Sequence, residues 1–141
     1  MAVADIMTRD VEFILPGATV AEAAMAMGDL SVGALPVGSA ESLQGIITDR
    51  DILFRVVATE RSNTETLVGE VMTPTVYSCR QEDKLTTALD LMAARNVRRL
   101  PVLDANGVMV GLVTLADLSR TLLLESDTVQ EAVRAMSGPA V

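Results

Sequence analysis

The spacing of hydrophobic positions changes in the same order twice along the chain. In each half, a short apolar run ending in Leu-Pro-Val is followed by a turn and by a second apolar run that begins at a glycine, which predicts a β-hairpin. Apolar residues three and four positions apart precede and follow this hairpin, which predicts two amphipathic helices. An additional strand is predicted before the first helix of each half, over Glu12–Leu15 and Thr75–Cys79. Thr19 and Asp83 are the predicted N-caps of these helices.

An internal repeat supports this β-α-β-β-α order. Three motifs return about 65 residues later, the last with one inserted residue: Asp5–Thr8 as Glu70–Thr73, Leu35–Val37 as Leu100–Val102, and Gly45–Thr48 as Gly111–Thr114. Repetition of this kind indicates two copies of one structural unit. We predict a first unit over residues 1–60, a second over 66–124, and a C-terminal helical extension over 125–141, with its helix at 126–137.

The most distinctive motif lies where the glycine-led strand meets the next helix. Thr48 is followed three residues later by Asp51, and Thr114 by Asp117. Thr-x-x-Asp before an apolar run is also a helix capping box, and capping is the favoured explanation for a single copy. Two copies in equivalent places favour a second use, because a hydroxyl and a carboxylate can cap a helix and still hydrogen-bond the adjacent hydroxyls of a ribose.

Composition narrows the function classes. Half of the 141 residues are apolar and only 2% are aromatic, so the core must be aliphatic. The net charge of −8 argues against nonspecific binding to nucleic acid or to an anionic membrane. The sequence contains no histidine, which argues against the usual histidine-dependent enzyme mechanisms. Cys79 is the only cysteine, so an intrachain disulfide is excluded, and a zinc site without histidine and with one thiol is improbable. Without a membrane-length apolar run or a signal peptide, a soluble cytoplasmic protein that is not an enzyme is predicted.

The tandem unit, the Leu-Pro-Val strands and the Gly-led strands ending in Thr-x-x-Asp resemble a pair of cystathionine-β-synthase (CBS) domains. Residues 32–37, 48–51 and 97–102 are more closely similar to the stand-alone two-CBS proteins of actinobacteria, of which the mycobacterial hypoxic response protein is one. This resemblance implies an α+β fold in which the two repeats pack sheet to sheet about a pseudo-twofold axis, with two clefts between them and with the C-terminal helix added.

The resemblance also implies a ligand. AMP, ADP, ATP or S-adenosylmethionine would occupy a cleft, with no cofactor or metal required. Asp51 and Asp117 would accept hydrogen bonds from the ribose, and Thr48 and Thr114 would bond the ribose or the α-phosphate. The base would contact apolar residues of the clefts, namely Val11 or Val76, the Leu-Pro-Val strands, and Ile46 and Ile47 or Leu112 and Val113.

Positive charge for a phosphate is expected at Arg98 and Arg99, where this family often places phosphate-contacting residues. The equally weighted alternative is one surface arginine and one structural ion pair. The first unit has glycine and alanine at the equivalent positions, so the cleft holding Thr114 and Asp117 is predicted to be the stronger site. A pseudo-twofold arrangement would also allow the arginines to serve the first cleft.

Two functions therefore remain open at this point. The first is a regulatory sensor that binds an adenine nucleotide and signals through its dimer or through a regulated protein that the sequence does not identify. The second is a ligand-free structural or protein-interaction module, such as one induced by stress. A homodimer is expected in either case, because the C-terminal helix carries an apolar face formed by Val129, Val133 and Met136 that needs a cover.

Overall fold

The chain forms two similar α+β units in a computed structural model, which describes residues 1–74 and 77–136. The predicted fold class is confirmed. The first half contains α1 (Val20–Leu30), β1 (Ala34–Gly38), β2 (Leu43–Thr48) and α2 (Asp49–Ile52), which continues as a π-helical turn over Leu53–Val57. The second half contains α3 (Val68–Val71), β3 (Cys79–Arg80), α4 (Leu85–Arg95), β4 (Arg99–Leu103), β5 (Met109–Thr114), α5 (Leu115–Leu124) and α6 (Asp127–Met136).

Both predicted hairpins are present. β1 pairs antiparallel with β2, and β4 pairs antiparallel with β5, each with a register shift near the turn. Leu35 lies opposite Ile47 and Leu100 lies opposite Val113, so the repeat extends to individual strand partners. β3 adds a parallel neighbour to β4. The strands place the ends of β2 and β5, where the Thr-x-x-Asp motifs begin, at equivalent positions in the two units.

The strand predicted over Glu12–Leu15 is wrong. Only Ile14 pairs there, as an isolated parallel bridge to Val37. Its N–H donates to the carbonyl of Pro36 at 3.0 Å. Pro16 follows two residues later and has no N–H to donate, which prevents the ladder from continuing. The corresponding strand in the second half is reduced to Cys79–Arg80, and part of the segment predicted for it, Thr75 and Val76, lies outside the described residues.

One predicted helix cap is confirmed and the other is wrong. The N–H of Glu22 donates to Thr19 Oγ1 at 3.2 Å, and the N–H of Thr19 donates to the Glu22 carboxylate at 3.0 Å, which completes the predicted capping box. The cap position of α4 is Lys84, which makes no side-chain cap bond. Asp83 instead accepts a hydrogen bond from the N–H of Arg80 at 2.9 Å, because its carboxylate closes the turn before the helix.

The two hydrophobic cores each include a segment from the other half of the chain. The 3₁₀ turn Val3–Asp5 and Met7 pack into the core of the second unit, and Val68 and Val71 of α3 pack into the core of the first. Backbone bonds also join the halves, since the N–H of Val3 donates to the carbonyl of Asp83 at 2.8 Å. The repeats are therefore interlocked rather than merely adjacent.

Glycine allows the exchanged segments to approach the sheets. A Cβ at Gly45 of β2 would lie 2.6 Å from the carbonyl oxygen of Thr73, and a Cβ at Gly111 of β5 would lie 2.6 Å from Met7 Sδ. Both distances are far below van der Waals contact. Gly45 and Gly111 are thus required because the segment from the other half crosses the strand at these residues.

Candidate functional site

A cavity of about 950 Å³ opens at the C-terminal end of β2, between the two halves of the chain. This volume lies within the usual range for small-molecule pockets. Residues from both units line it: Ile46, Thr48, Asp49, Arg50, Asp51, Leu53, Phe54, Thr73, Tyr77, Asn96, Val97, Arg98 and Arg99. The fold therefore brings the first Thr-x-x-Asp motif together with the two arginines of the second repeat.

The Thr48–Asp51 motif forms a complete capping box at the cavity wall. The N–H of Asp51 donates to Thr48 Oγ1 at 3.0 Å, and the N–H of Thr48 donates to Asp51 Oδ2 at 3.0 Å. The hydroxyl of Thr73 lies 3.3 Å from Asp51 Oδ1, and Arg55 Nε lies 3.8 Å from the same oxygen. Asp51 is only 8% exposed, and it lines the cavity. These contacts hold its carboxylate in place as an acceptor at the cavity wall.

Three arginines provide positive charge in the cavity. Arg50, Arg98 and Arg99 line it, and within the described residues none of them forms an ion pair with a carboxylate at 4.0 Å or less. Space for Arg99 is created by Gly33, where a Cβ would lie 3.0 Å from Arg99 Nη2. Unpaired guanidinium groups gathered in a concave site are suited to an anionic group, since arginine binds phosphate with two parallel hydrogen bonds.

Of the two predicted pairings of arginines and clefts, the structure has the one in which the arginines lie in the first cleft. The side chains of Arg98 and Arg99 lie with Thr48 and Asp51, and neither Thr114 nor Asp117 is part of the cavity lining. The physical reason is the packing between repeats, which directs the start of β4 toward the end of β2.

The second Thr-x-x-Asp motif has different surroundings. The N–H of Asp117 donates to Thr114 Oγ1 at 3.1 Å, but the reciprocal bond to the Asp117 carboxylate is not formed. The carboxylate instead lies 3.5 Å from Arg120 on the same helix. The two Thr-x-x-Asp motifs therefore differ in hydrogen bonding, although each carboxylate lies within 4.0 Å of one arginine that follows it in the same half of the chain.

Side chains alternate between the two faces of a strand, so only some of the apolar residues expected to contact the base line the cavity. Ile47 and Val113 are fully buried in the first and second cores, so their side chains cannot touch a ligand in the cavity. Ile46, which points to the opposite face of β2, lines the cavity instead. Val11 is partly buried and is not among the lining residues. Val76 lies outside the described residues.

Several lining residues were missed by the sequence interpretation. Phe54 and Tyr77 supply aromatic surface, and Asn96 supplies a side-chain amide at the end of α4. Thr73 ends the repeated motif Glu70–Thr73, to which the sequence interpretation assigned no contact with a ligand. The rarity of aromatic residues was a usable signal, because two of the three aromatic side chains lie in this cavity.

Cys79 is not placed for nucleophilic chemistry. Its side chain is buried in the second core, and burial, with a smaller contribution from the Asp83 carboxylate, raises the pKa of the thiol to about 11. A thiol that stays protonated at neutral pH is a poor nucleophile.

Within residues 1–74 and 77–136, no group of three or more His, Cys, Asp or Glu side chains is arranged to hold a metal ion. Over the same ranges, every helix is too short or too polar to cross a membrane.

Comparison with known proteins identifies the family. The CBS domain model matches residues 3–58 and 68–124. The chain is 42% identical over 118 residues to CBS domain-containing protein YhcV of Bacillus subtilis, covering 84% of this chain and 83% of that protein. It is 31% identical over 136 residues to Hypoxic response protein 1 of Mycobacterium tuberculosis, covering 96% and 93% of the two chains.

Solved structures agree with this family match. A protein with CBS domains from Burkholderia ambifaria superimposes with a TM-score of 0.83 at 29% identity, over 90% of this chain and 97% of that one. The CBS domain pair of protein MJ0100, in complex with 5′-methylthioadenosine and S-adenosyl-L-methionine, gives a TM-score of 0.77 at 26% identity, over 86% and 95%. The chain therefore belongs to the CBS domain family, as a tandem CBS pair.

Proposed function

We propose that this CBS pair is a non-enzymatic regulatory module that binds an adenosine-containing ligand in the cavity at the end of β2. The observation that carries the proposal is the meeting, in one cavity of about 950 Å³, of the Thr48–Asp51 motif and three arginines that form no ion pair with a carboxylate of the described residues. The ligand-bound MJ0100 pair supports adenosine compounds as the chemical class.

The ribose is assigned to Asp51. A carboxylate is the natural acceptor for two adjacent hydroxyl groups, and Asp51 keeps unused acceptor capacity because each of its oxygens can accept more than one hydrogen bond. The contact from Thr73 at 3.3 Å is long enough to be replaced or shared when a ligand arrives. Thr48 holds the carboxylate in position through the capping box.

The phosphate is assigned to Arg98 and Arg99, with Arg50 as a further nearby cation. The cavity is lined by these three arginines and by two aspartates, Asp49 and Asp51, so its net charge is +1 in a protein whose net charge is −8. Within the described residues the three arginines form no ion pair at 4.0 Å or less, which supports an anionic partner at this place. AMP, ADP and ATP are therefore favoured over S-adenosylmethionine, whose sulfonium would be repelled by these groups. Neither a cofactor nor a metal is required.

A ligand-free structural or interaction module is the second candidate. One observation favours it: the Asp51 carboxylate is almost buried and already accepts bonds from Thr48 and Thr73. In that case the motif would only cap α2 and hold the segment that contains Thr73 against this helix by a hydrogen bond.

The deciding experiment is calorimetric titration of the purified protein with AMP, ADP, ATP and S-adenosylmethionine, preceded by mass spectrometry for co-purified nucleotide. The proposal predicts binding of at least one phosphate-bearing nucleotide without hydrolysis of ATP. An initially empty protein that gives no heat with all four compounds would establish the structural alternative.

We also propose that the pair signals as a homodimer or through a regulated protein. The π-helical turn after α2 exposes Leu53, Phe54 and Val57, each more than half accessible, beside the cavity. Met136 is exposed on α6, and the side chains of Val129 and Val133 lie outside the described part of the chain. A dimer of about 30 kDa, twice the 14.9 kDa chain, is expected in light scattering at micromolar concentration. If the protein is a monomer under these conditions, signalling through a regulated protein is the only one of the two routes that remains.

A further inference from the structure

Aromatic side chains are concentrated in the cavity. The sequence contains only Phe13, Phe54 and Tyr77 as aromatic residues. The lining comprises 13 of the 141 residues, yet it includes two of these three. Tyr77 is partly buried and packs against the core of the second unit, where its ring also contributes to the cavity wall, whereas Phe54 belongs to neither core.

The two rings differ in how firmly they are held. The guanidinium carbon of Arg95 lies 5.0 Å from the centre of the Tyr77 ring, and Arg95 is not itself a lining residue. The Tyr77 ring is partly buried, so it is supported by Arg95 while it contributes surface to the cavity. Phe54 is 54% exposed, and its partner Arg50, also at 5.0 Å, lines the cavity with it. Tyr77 is the better fixed platform, and Phe54 lies at the mouth.

Residues next to Arg95 supply the other contacts that a base needs. Asn96 and Val97 both line the cavity, and a side-chain amide can pair with the N6 and N7 edge of adenine. Arg98 and Arg99 follow directly in the chain. Because Asn96, Val97, Arg98 and Arg99 are consecutive and all line the cavity, one segment can hold both the base and the phosphate of one nucleotide.

We propose that the Tyr77 ring, held from outside the cavity by Arg95, is the surface on which the adenine base stacks, and that it makes the site selective for a nucleotide over the same sugar phosphate without a base. This inference rests on the proposed function. Tyr77 is then a specificity-determining residue, and Arg95 is a positioning residue that acts through the ring.

The test compares AMP with ribose 5-phosphate on the full chain by calorimetry. Stacking of a base on an aromatic side chain corresponds to a change in affinity of roughly fivefold to hundredfold. Tyr77→Leu should therefore lower the affinity for AMP by that factor and leave the affinity for ribose 5-phosphate unchanged. Tyr77→Phe keeps the ring and should bind AMP like the wild type. Phe13→Leu is the matched control, because it removes the aromatic residue outside the cavity and should change neither affinity.

A second readout uses the wild-type protein alone. Tyr77 is the only tyrosine and tryptophan is absent, so its ring protons are separable from those of two phenylalanines in a proton NMR spectrum. Addition of AMP should shift these signals and give cross-relaxation between the Tyr77 ring and the adenine protons, whereas ribose 5-phosphate should not. This measurement stands even if Tyr77→Leu does not fold.

The outcomes separate the two proposals. Suppose that the wild type binds AMP. If a folded Tyr77→Leu variant binds AMP equally well, or if the Tyr77 ring shows no contact with adenine, the base-stacking inference is overturned and the proposed function is left intact. Failure of the wild type to bind any of the four adenosine compounds removes the proposed function, and the inference is overturned with it.

Discussion

The hydroxyl of Thr73 lies 3.3 Å from Oδ1 of Asp51, so a residue that follows the connector between the repeats touches the carboxylate at the start of α2. The other carboxylate oxygen accepts the N–H of Thr48. The equivalent carboxylate, Asp117, lies near Arg120 as Asp51 lies near Arg55, but it lacks the reciprocal capping bond. The two copies of the motif are thus equal in sequence and unequal in surroundings, and this inequality can be measured.

Asp51→Asn is expected to weaken AMP binding tenfold or more, since a hydrogen bond to a charged group contributes about 1.5–3 kcal/mol. Asp117→Asn is the matched control and should change the affinity little, because its carboxylate does not line the cavity. Calorimetric titration of both variants, with thermal unfolding to show that each is folded, tests the assignment. Loss of binding in Asp117→Asn alone would move the site to the second motif.

Arg99→Gln and Arg98→Gln are expected to weaken AMP about tenfold while leaving adenosine nearly unaffected, because only AMP carries the phosphate. Arg61→Gln is a suitable control, since Arg61 is paired with Glu70 at 3.3 Å and does not line the cavity. Binding of AMP should also become less sensitive to salt in the two cavity variants. Equal losses for AMP and adenosine would show that the arginines support the fold rather than the phosphate.

Gly45→Ala and Gly111→Ala are each expected to lower the free energy of unfolding by about 1–3 kcal/mol, because the added methyl group would press on the segment exchanged from the other half. Gly28→Ala is the opposite control. Gly28 lies in α1 with nothing within 4 Å of an added Cβ, so alanine should raise stability by about 1 kcal/mol through helix propensity. Urea unfolding of the three variants gives these values directly.

The thiol of Cys79 should react slowly. Burial raises its pKa from an ordinary 9.0 to about 11, so the thiolate fraction at pH 8 is about a hundredfold lower in the native state than in the urea-unfolded chain, and alkylation should slow accordingly. The stability contributed by this shift is fully present below pH 9 and is lost as the pH rises through 11, because the unfolded chain ionises first. The full effect is roughly 3 kcal/mol.

Cys79→Ala is the control for that pH dependence. Unfolding curves for the wild type and the variant should converge between pH 9 and 11 by the amount assigned to the thiol, while the contributions of other groups cancel in the difference. Fast alkylation of the native protein at pH 8, at the rate of the unfolded chain, would contradict the burial of this side chain.

Periodicity and repetition predicted most of the fold, because helix and strand spacing are local properties of the chain. The hairpins, the Thr19 cap, the C-terminal helix and the Thr48 and Asp51 pair were all accessible in this way. The strand before α1 was predicted wrongly because strand formation depends on a partner, and the proline there removes a donor.

The grouping of site residues was harder to predict, because it depends on how the two repeats pack. The sequence places Arg98 and Arg99 in the second repeat, and only the packed pair brings them to the motif of the first. Ile46 and Ile47 were both expected to contact the base because both are apolar, but one residue of strand register decides which of them faces the core. Tyr77 was overlooked because nothing in its local sequence indicates a cavity.

The interlocked segments also determine where the chain can be divided. A cut within residues 61–65 would leave the first half without Val68 and Val71, and would leave the second half without Val3 and Met7, so each fragment would expose an open core. Fragments made there should associate with one another on mixing rather than fold independently. The repeats in the sequence suggest two separable modules, but the exchange of Val3, Met7, Val68 and Val71 between the cores makes the whole pair the expected unit of cooperative folding.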